Sequence, residues 1–349
     1  MRIGTVGCNY GRLVHVPAFR RDRRCEVVAL AGTDPVRTAE LARESGIALS
    51  FGSWRELVEH PDIEAVTIAA PPHLQPEIAI RALELGKPVF VEKPLAADLA
   101  GAKAMAAAAL GRTAMIDFNF SAIAAMRRTK QLLDQGAVGR LRHVSVNWNV
   151  ENYATRMRLR NWKSLGGTGG GILGNFVSHS FHYLEWFCGP ITGLSARLTG
   201  LPDAVDLETN AAFQLQFGSG ASGVLAVSCA SYQGSGHRLE FYGEDGTLTL
   251  INQTPDYMRG FELNLAQRPG ALARISVEDE LDGEFPQDGR IAPVARLASS
   301  FLDAIAGNGA PIPGFTEGLR VQTLLDIARR ANDDGRWREV ARQTTEISA

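Results

Sequence analysis

Short apolar runs alternate with amphipathic ones over residues 1–120. "RIGTV", "EVVALA", "AVTIA", "PVFV" and "AMIDF" are brief and rich in Val and Ile, the composition of strands buried on both faces. Between them, "VRTAELARES", "SWRELVEH", "PEIAIRALELG" and "DLAGAKAMAAAAL" read as helices. Strand and helix in turn, at this pace, predict a doubly wound parallel sheet with right-handed crossovers.

Beyond residue 120 the pattern changes. "AAMRRTKQLLDQGAVG" predicts a helix and "RLRHVSVNWNV" a strand, followed by a loop, a glycine run and a histidine-bearing helix. Longer strands come next: "ITGLSARLTG", "TNAAFQLQFGSG", "ASGVLAVSCASYQ", "HRLEFYGEDG" and "TLTLIN" are set off by Gly, Asp and Asn turns, as in an antiparallel sheet. One face of such a sheet must be covered, by helices or by another subunit. Two helices around "VARLASSFLDAIAG" and "TEGLRVQTLLDIARRAND" close the chain and are free to pack back on the first domain. The expected fold class is α/β: an N-terminal Rossmann domain over residues 1–120, then residues 121–349 as an α/β domain with an open, mostly antiparallel sheet.

"IGTVGCNYGRLVHVPAF" reads as strand, tight glycine turn and helix start. In a dinucleotide fold the pyrophosphate sits here, on free backbone N–H groups. Gly7 makes the sharp turn, Gly11 lets the backbone approach the ligand, and Asn9 and Tyr10 lie between them. Asn9 occupies the place of a usual second glycine and tolerates left-handed dihedrals. An ordinary strand-to-loop connection is the rival reading, and the strand–helix alternation that follows weighs against it. At the end of the second strand, "ALAGTDPVR", the acid that bonds the adenosine ribose in an NAD-specific domain falls on Gly32, with Thr33 next and Asp34 two residues late. Small residues plus Arg37 leave room and charge for a 2′-phosphate, which favours NADP, with NAD the alternative. Thr33-Asp34-Pro35 also reads as the cap of the next helix, and the two roles are compatible.

At 349 residues the chain is comfortable as two domains, and a net charge of −2 argues against nucleic acid or an anionic membrane as main partner. "MRIGTVG" runs straight into a strand without the apolar core of a signal peptide, and "AMAAAALG" is far too short to span a bilayer. Cys8, Cys25, Cys188 and Cys229 stand widely apart, which fits a reducing, cytoplasmic setting and no metal cage.

Residues 169–182 read "GGGILGNFVSHSFH". Asn175, His179, His182 and Trp186 are spaced i, i+4, i+7 and i+11, which predicts one shared helix face, with Leu173, Phe176, Leu184 and Phe187 opposite. Gly169, Gly170 and Gly171 bring the chain to the helix without side chains, leaving space for a ligand or another backbone. Three readings of the polar face stand open: the wall of a reaction site with His179 as acid/base, satisfied polar groups at an interface, or a metal held by His179 and His182, for which no third ligand joins the face.

At "PPHLQPEIAIRALELGKPVFVEKPLA" the sequence resembles the Gfo/Idh/MocA family of nicotinamide-dependent oxidoreductases, and the resemblance covers nearly the whole chain. It takes in "VHVPAFR", "APPHLQPEIA", "VEKP" at 91–94, "GAVGRLRHVSV", "GGGILGNFVSH" and "PGFTEGLRVQTLLDIA". The order and spacing of these segments carry it; "EKP" alone is too short. The resemblance implies a cofactor site that adds Ala70, Pro71, His73, Glu92 and Lys93 to the turn residues. Glu92-Lys93-Pro94 matches the family's E-K-P, whose proline is commonly cis and whose lysine reaches the substrate beside the nicotinamide. Lys93 would polarise the reacting oxygen and relay its proton. His179 matches the histidine of the glycine-rich helix, the usual partner in proton transfer. The sequence also departs from the pattern: Asn175 replaces a common Asp, His182 a common acid, Ser121 a common Arg and Gln75 a common His. An amide cannot take up a proton as a carboxylate does, which alters the usual division of labour.

The expected activity is reversible hydride transfer between a nicotinamide and a secondary alcohol or ketone. A sugar, cyclitol or sugar derivative as substrate is implied by the resemblance alone. Lys93 and His179 would carry the proton, Asn175 and His182 orient hydroxyls, and Arg160, Trp162 and Lys163, in the loop before the glycines, contact substrate. A homodimer or homotetramer without a resident metal is expected. Two alternatives use the same fold. One is a non-catalytic NAD(P)-binding sensor or scaffold, favoured by the missing acid at 175 and opposed by Lys93 with His179. The other is a tightly held NAD used transiently in hydrolysis or elimination.

Overall fold

A computed structural model describes residues 1–159, 168–200, 208–281 and 283–341. They form two compact units. The first takes Met1–Ala122, residues 168–169 and Glu280–Gln322; the second takes residues 123–159, 170–200, 208–279 and 323–341.

In the first unit β1 (Arg2–Val6), β2 (Glu26–Ala31), β3 (Leu49–Phe51), β4 (Ala65–Ile68), β5 (Val89–Val91) and β6 (Ala114–Ile116) form a parallel sheet in the order β3-β2-β1-β4-β5-β6. Helices α1 (Val16–Arg20), α2 (Pro35–Glu44), α3 (Trp54–Glu59), α4 (Gln75–Glu84) and α5 (Leu99–Ala108) connect the strands. The doubly wound Rossmann arrangement expected from the alternation is present. β3 is an addition: Leu49-Ser50-Phe51 is too short to show a period and exists through its pairing with β2.

The second unit is built on a nine-stranded sheet: β7 (Leu141–Asn149), β8 (Ile191–Thr199), β9 (Asn210–Phe217), β10 (Ser222–Ser228), β11 (Gly236–Gly243), β12 (Gly246–Asn252), β13 (Glu262–Gln267), β14 (Ala273–Ile275) and β15 (Arg338–Glu339). Their order is β14-β13-β12-β11-β7-β10-β9-β8-β15, antiparallel except between β7 and β10. Side chains alternate between the faces: Phe213, Leu215 and Phe241 are buried, whereas Gln214, Val224 and Tyr242 are exposed. With α6 (Ala124–Asp134) and α7 (Tyr153–Arg156), the unit carries α8 (Ser178–Cys188). α8 covers the apolar face of the sheet, Phe181 meeting Phe213 at 5.2 Å between ring centroids and Phe187 meeting Phe241 at 5.1 Å.

The closing helices are α9 (Ile291–Ile305) and α10 (Phe315–Asp334). α9 lies in the first unit, where Phe301 packs edge-on against Phe19 and Phe90, with centroids 6.1 and 5.9 Å apart. Among the described residues no helix is long and apolar enough to cross a membrane.

Candidate active site

Gly7, Glu92 and Asp117 are each the first residue past a strand, after β1, β5 and β6, so all three stand at the C-terminal edge of the parallel sheet. The strand order reverses between β1 and β4, where the connections diverge and open a crevice. Gly7 has φ +120°, and a Cβ there would come within 2.5 Å of the Ala69 carbonyl oxygen, so only glycine turns the chain here. The turn closes with the Arg12 N–H donating to the Gly7 carbonyl (3.1 Å) and the Leu13 N–H to that of Asn9 (2.8 Å). This tight strand-to-helix turn, stripped of side chain at Gly7, suits the pyrophosphate of a dinucleotide.

A Cβ on Gly11 would lie 3.0 Å from Thr5 Cγ2 and 3.3 Å from Ala69 Cβ, so its bare backbone also serves close helix–strand packing. That role belongs to the third glycine of G-x-G-x-x-G, one residue later in the motif; here a π turn over Gly11–His15 changes the helical register at that point. Tyr10 is held from two sides: its hydroxyl accepts from the Asn119 amide (3.0 Å), and the Arg290 guanidinium lies 5.4 Å from its ring centroid.

At the end of β2, a Cβ on Gly32 would lie 2.5 Å from both Cys8 Sγ and Thr38 Oγ1. Thr33 and Arg37 are exposed. Asp34 caps α2, its carboxylate accepting from the Arg37 N–H (3.0 Å), while the Arg37 guanidinium pairs with Glu40 at 2.9 Å and lies 3.9 Å from Glu44. Past β4, Ala70 and Pro71 are half-buried and His73 is exposed.

The Lys93–Pro94 peptide is cis. Beneath it lies Gln75, wholly buried at the start of α4, with its amide nitrogen 3.0, 2.7 and 3.1 Å from the carbonyl oxygens of Glu92, Pro94 and Leu95. Glu92 itself faces a histidine. Nε2 of His15 lies 3.2 Å from Oε1 of Glu92 and 3.6 Å from Oδ2 of Asp117, and the side chains of His15 and Asp117 are fully buried. Burial alone would lower the His15 pKa, but hydrogen bonds and negative charge from Asp117 and Glu92 outweigh it and raise the value to about 9. Burial works to raise the Glu92 pKa, yet the His15 hydrogen bond, with the charges of His15 and Lys93, holds it below the usual range. Asp117 is pushed well up, first by burial and then by the charge of Glu92. One imidazolium cannot balance two carboxylates in a closed site, so of the two acids Asp117 gives up its proton less readily. The three side chains offer ligand atoms within 4.8 Å of one another. Neither His15 nor Asp117 is singled out by the sequence reading, although each is a polar residue inside an apolar run, "RLVHVPAF" and "MIDF".

In the second unit the glycine-rich helix opens with a π turn over Leu173–Val177 before continuing as α8. The wider turn falls between Asn175 and the helix that carries His179, where a 3.6-residue period does not hold. His179 and His182 are 5% and 8% exposed, and Leu173 and Leu184 are fully buried, so the helix is covered on more than one side. The Asn175 amide donates to the Gly171 carbonyl at 2.8 Å. Burial drives the His182 pKa down to about 3, so its ring is neutral. At Gly169 the missing side chain makes room for other backbone: the residue has φ +81°, and a Cβ on it would lie 2.8 Å from Ala97 Cα and Pro72 Cβ, all within the first unit. Arg160, Trp162 and Lys163 lie outside the described residues.

Residues 1–120 match the model of an oxidoreductase family with an NAD-binding Rossmann fold, and residues 126–249 match a Gfo/Idh/MocA C-terminal domain. An uncharacterized oxidoreductase of Synechocystis sp. is 31% identical over 355 residues, covering 97% of this chain and 95% of the relative. The chain belongs to the Gfo/Idh/MocA family. Levoglucosan dehydrogenase of Pseudarthrobacter phenanthrenivorans is 27% identical over 352 residues, covering 89% of this chain and 88% of the relative. The solved structure of levoglucosan dehydrogenase in complex with NADH shares the fold, with a TM-score of 0.88 at 24% identity, covering 98% of this chain and 100% of that one.

As a Gfo/Idh/MocA oxidoreductase the protein carries an NAD-binding Rossmann domain, and its departures from the family pattern now have surroundings. Gln75, in place of the common histidine, holds the carbonyls around Lys93. Ser121, in place of the common arginine, donates its hydroxyl to the Phe118 carbonyl at 2.9 Å.

Proposed function

We propose that the protein transfers a hydride between a nicotinamide dinucleotide and a secondary alcohol or ketone of a sugar, cyclitol or sugar derivative. The observation that carries this reading is Lys93 following a half-buried, anionic Glu92 on the same sheet edge as the Gly7 turn. The sugar dehydrogenase among the relatives supports the substrate class. The bound cofactor would supply or accept the hydride. The chain does the rest. The Gly7–Tyr10 turn binds the pyrophosphate, Lys93 stabilises the alkoxide and relays its proton, and His179 shares in that transfer. His182, as a neutral ring, and Asn175 hydrogen-bond substrate hydroxyls.

For the cofactor we infer NAD(H). The case for NADP(H) rests on Arg37, and Glu40 and Glu44 already surround that guanidinium, so an incoming 2′-phosphate would meet two carboxylates. Parallel fluorescence titrations of cofactor-free protein should show NADH binding more tightly than NADPH. A preference for NADPH that disappears in Arg37→Ala would reverse the assignment, and binding of neither nucleotide would end the oxidoreductase reading.

Turnover is tested by screening ketoses with NADH and polyols with NAD, wild type against Lys93→Met. Bound cofactor without turnover of any polyol or ketose would favour a sensor or scaffold. We also propose a homo-oligomer formed through the open face of the nine-stranded sheet, where Val224 and Tyr242 are exposed; light scattering that reports a monomer would refute it.

A further inference from the structure

We propose that His15 is a positioning residue of the cofactor site: placed against Glu92 and Asp117, it ties the helix after the Gly7 turn to the chain leaving β5 and β6. This rests on reading that sheet edge as a dinucleotide site.

β1 and β5 are not neighbours, because β4 lies between them. The His15–Glu92 contact at 3.2 Å is therefore a side-chain link across an intervening strand, and the approach to Asp117 at 3.6 Å extends it to the next strand end. The backbone makes only nearest-neighbour bonds here: the Glu92 N–H donates to Ile68 and the Asp117 N–H to Val91, both at 2.8 Å. The ring cannot swing away, since Tyr10 and Phe90 meet it edge-on with centroids 5.4 and 5.3 Å distant. Its reach is short, too. His15 is on the π turn that follows Gly7, and Glu92 immediately precedes Lys93, so displacement of the ring would move both walls of the proposed site.

The link depends on charge. With His15 as the cation and Glu92 as the anion, ring and carboxylate neutralise each other beside Lys93, while burial and the Glu92 charge hold the Asp117 pKa up. The other ionisable groups around it are Tyr10 on the same helix, Lys93 beyond Glu92, and Arg290, which lies against Tyr10 from the start of α9.

The test uses the full-length protein labelled with 15N-histidine, the His15 ring signals being assigned by their loss in His15→Gln. Both ring nitrogens should be protonated at pH 7.5 and lose a proton near pH 9. NADH affinity should hold from pH 7 to 8 and fall about tenfold by pH 10, whereas His15→Gln should bind about tenfold more weakly with a flat profile. Asp117→Asn, which keeps a neutral hydrogen-bonding side chain, should bind as wild type does. If His15→Gln does not fold, Glu92→Gln serves instead: the ring should stay protonated against Asp117 alone, and NADH affinity should fall about tenfold because the link to the chain before Lys93 is weakened. A neutral wild-type ring at that pH overturns the link. So does a His15→Gln protein with wild-type affinity and pH profile. One equivalent of divalent metal retained by purified protein and lost in His15→Gln would also overturn it, because the cluster would then be a metal centre. Wild type that binds neither nucleotide takes down the dinucleotide reading first; wild type that binds, with an indifferent His15→Gln, takes down this inference alone.

Discussion

The side-chain nitrogen of Gln75 lies 2.7 Å from the Pro94 carbonyl oxygen, and the same nitrogen reaches the carbonyls of Glu92 and Leu95. One buried amide thus gathers the backbone on both sides of Lys93. These carbonyls lose a donor if the side chain is removed, and a buried acceptor left unsatisfied costs about 1–3 kcal/mol. Gln75→Ala should lower unfolding stability by that order in urea titrations. An unchanged midpoint would mean that water or another donor replaces the amide.

Gly7 combines a left-handed backbone with a carbonyl 2.5 Å from where its Cβ would be. Gly7→Ala should cost about 1–3 kcal/mol of stability through backbone strain and weaken NADH binding. A variant that melts and binds like wild type would remove the turn from the cofactor site.

Lys93 and His179 are assigned to proton transfer, Lys93 being also one of several residues of the cofactor site. Lys93→Met and His179→Asn should each reduce kcat by about 10²–10⁴ while leaving NADH affinity within a few-fold of wild type. A lysine variant with unaltered kcat on a confirmed substrate would show that another group meets the reacting oxygen.

Acid and alkali should act on different histidines. His182 and His237 are buried, and burial lowers each pKa to about 3. Unfolded histidine titrates near 6.5, so the unfolded chain takes up protons that the folded one refuses. Stability should therefore fall as pH drops from about 6.5 toward 3, by about 1.4 kcal/mol per pH unit for each ring. His15 has the opposite sign. Its folded value is about 9, so its contribution is complete below the unfolded value and is lost as pH rises through 9. Unfolding midpoints measured across pH should show both flanks. His237→Phe, which keeps an aromatic ring on Trp148 where the present centroids are 4.3 Å apart, should make the acid flank shallower. An unaltered acid slope would mean that His237 accepts a proton in the folded state.

Local pattern determined much of this protein. The alternation of Val- and Ile-rich runs with amphipathic ones announced β1, β2, β4, β5 and β6 and the helices between them, because strand and helix periods are properties of neighbours in the chain. The Gly7 turn and the Glu92-Lys93-Pro94 segment were legible for the same reason: each is a short contiguous stretch whose chemistry is in its residue types. β3 and β15 were not, since three and two residues are too few to carry a period and their pairing partners lie elsewhere in the chain. The π turns at Gly11–His15 and Leu173–Val177 were not legible either, because helical pattern arguments assume 3.6 residues per turn throughout. The His15–Glu92–Asp117 cluster belongs wholly to tertiary structure. Its members are separated by 77 and 25 positions and meet only after the strand order brings the ends of β5 and β6 to the helix that follows β1. Their charges are equally beyond the sequence, because burial and mutual approach, not residue type, decide which of the three holds a proton.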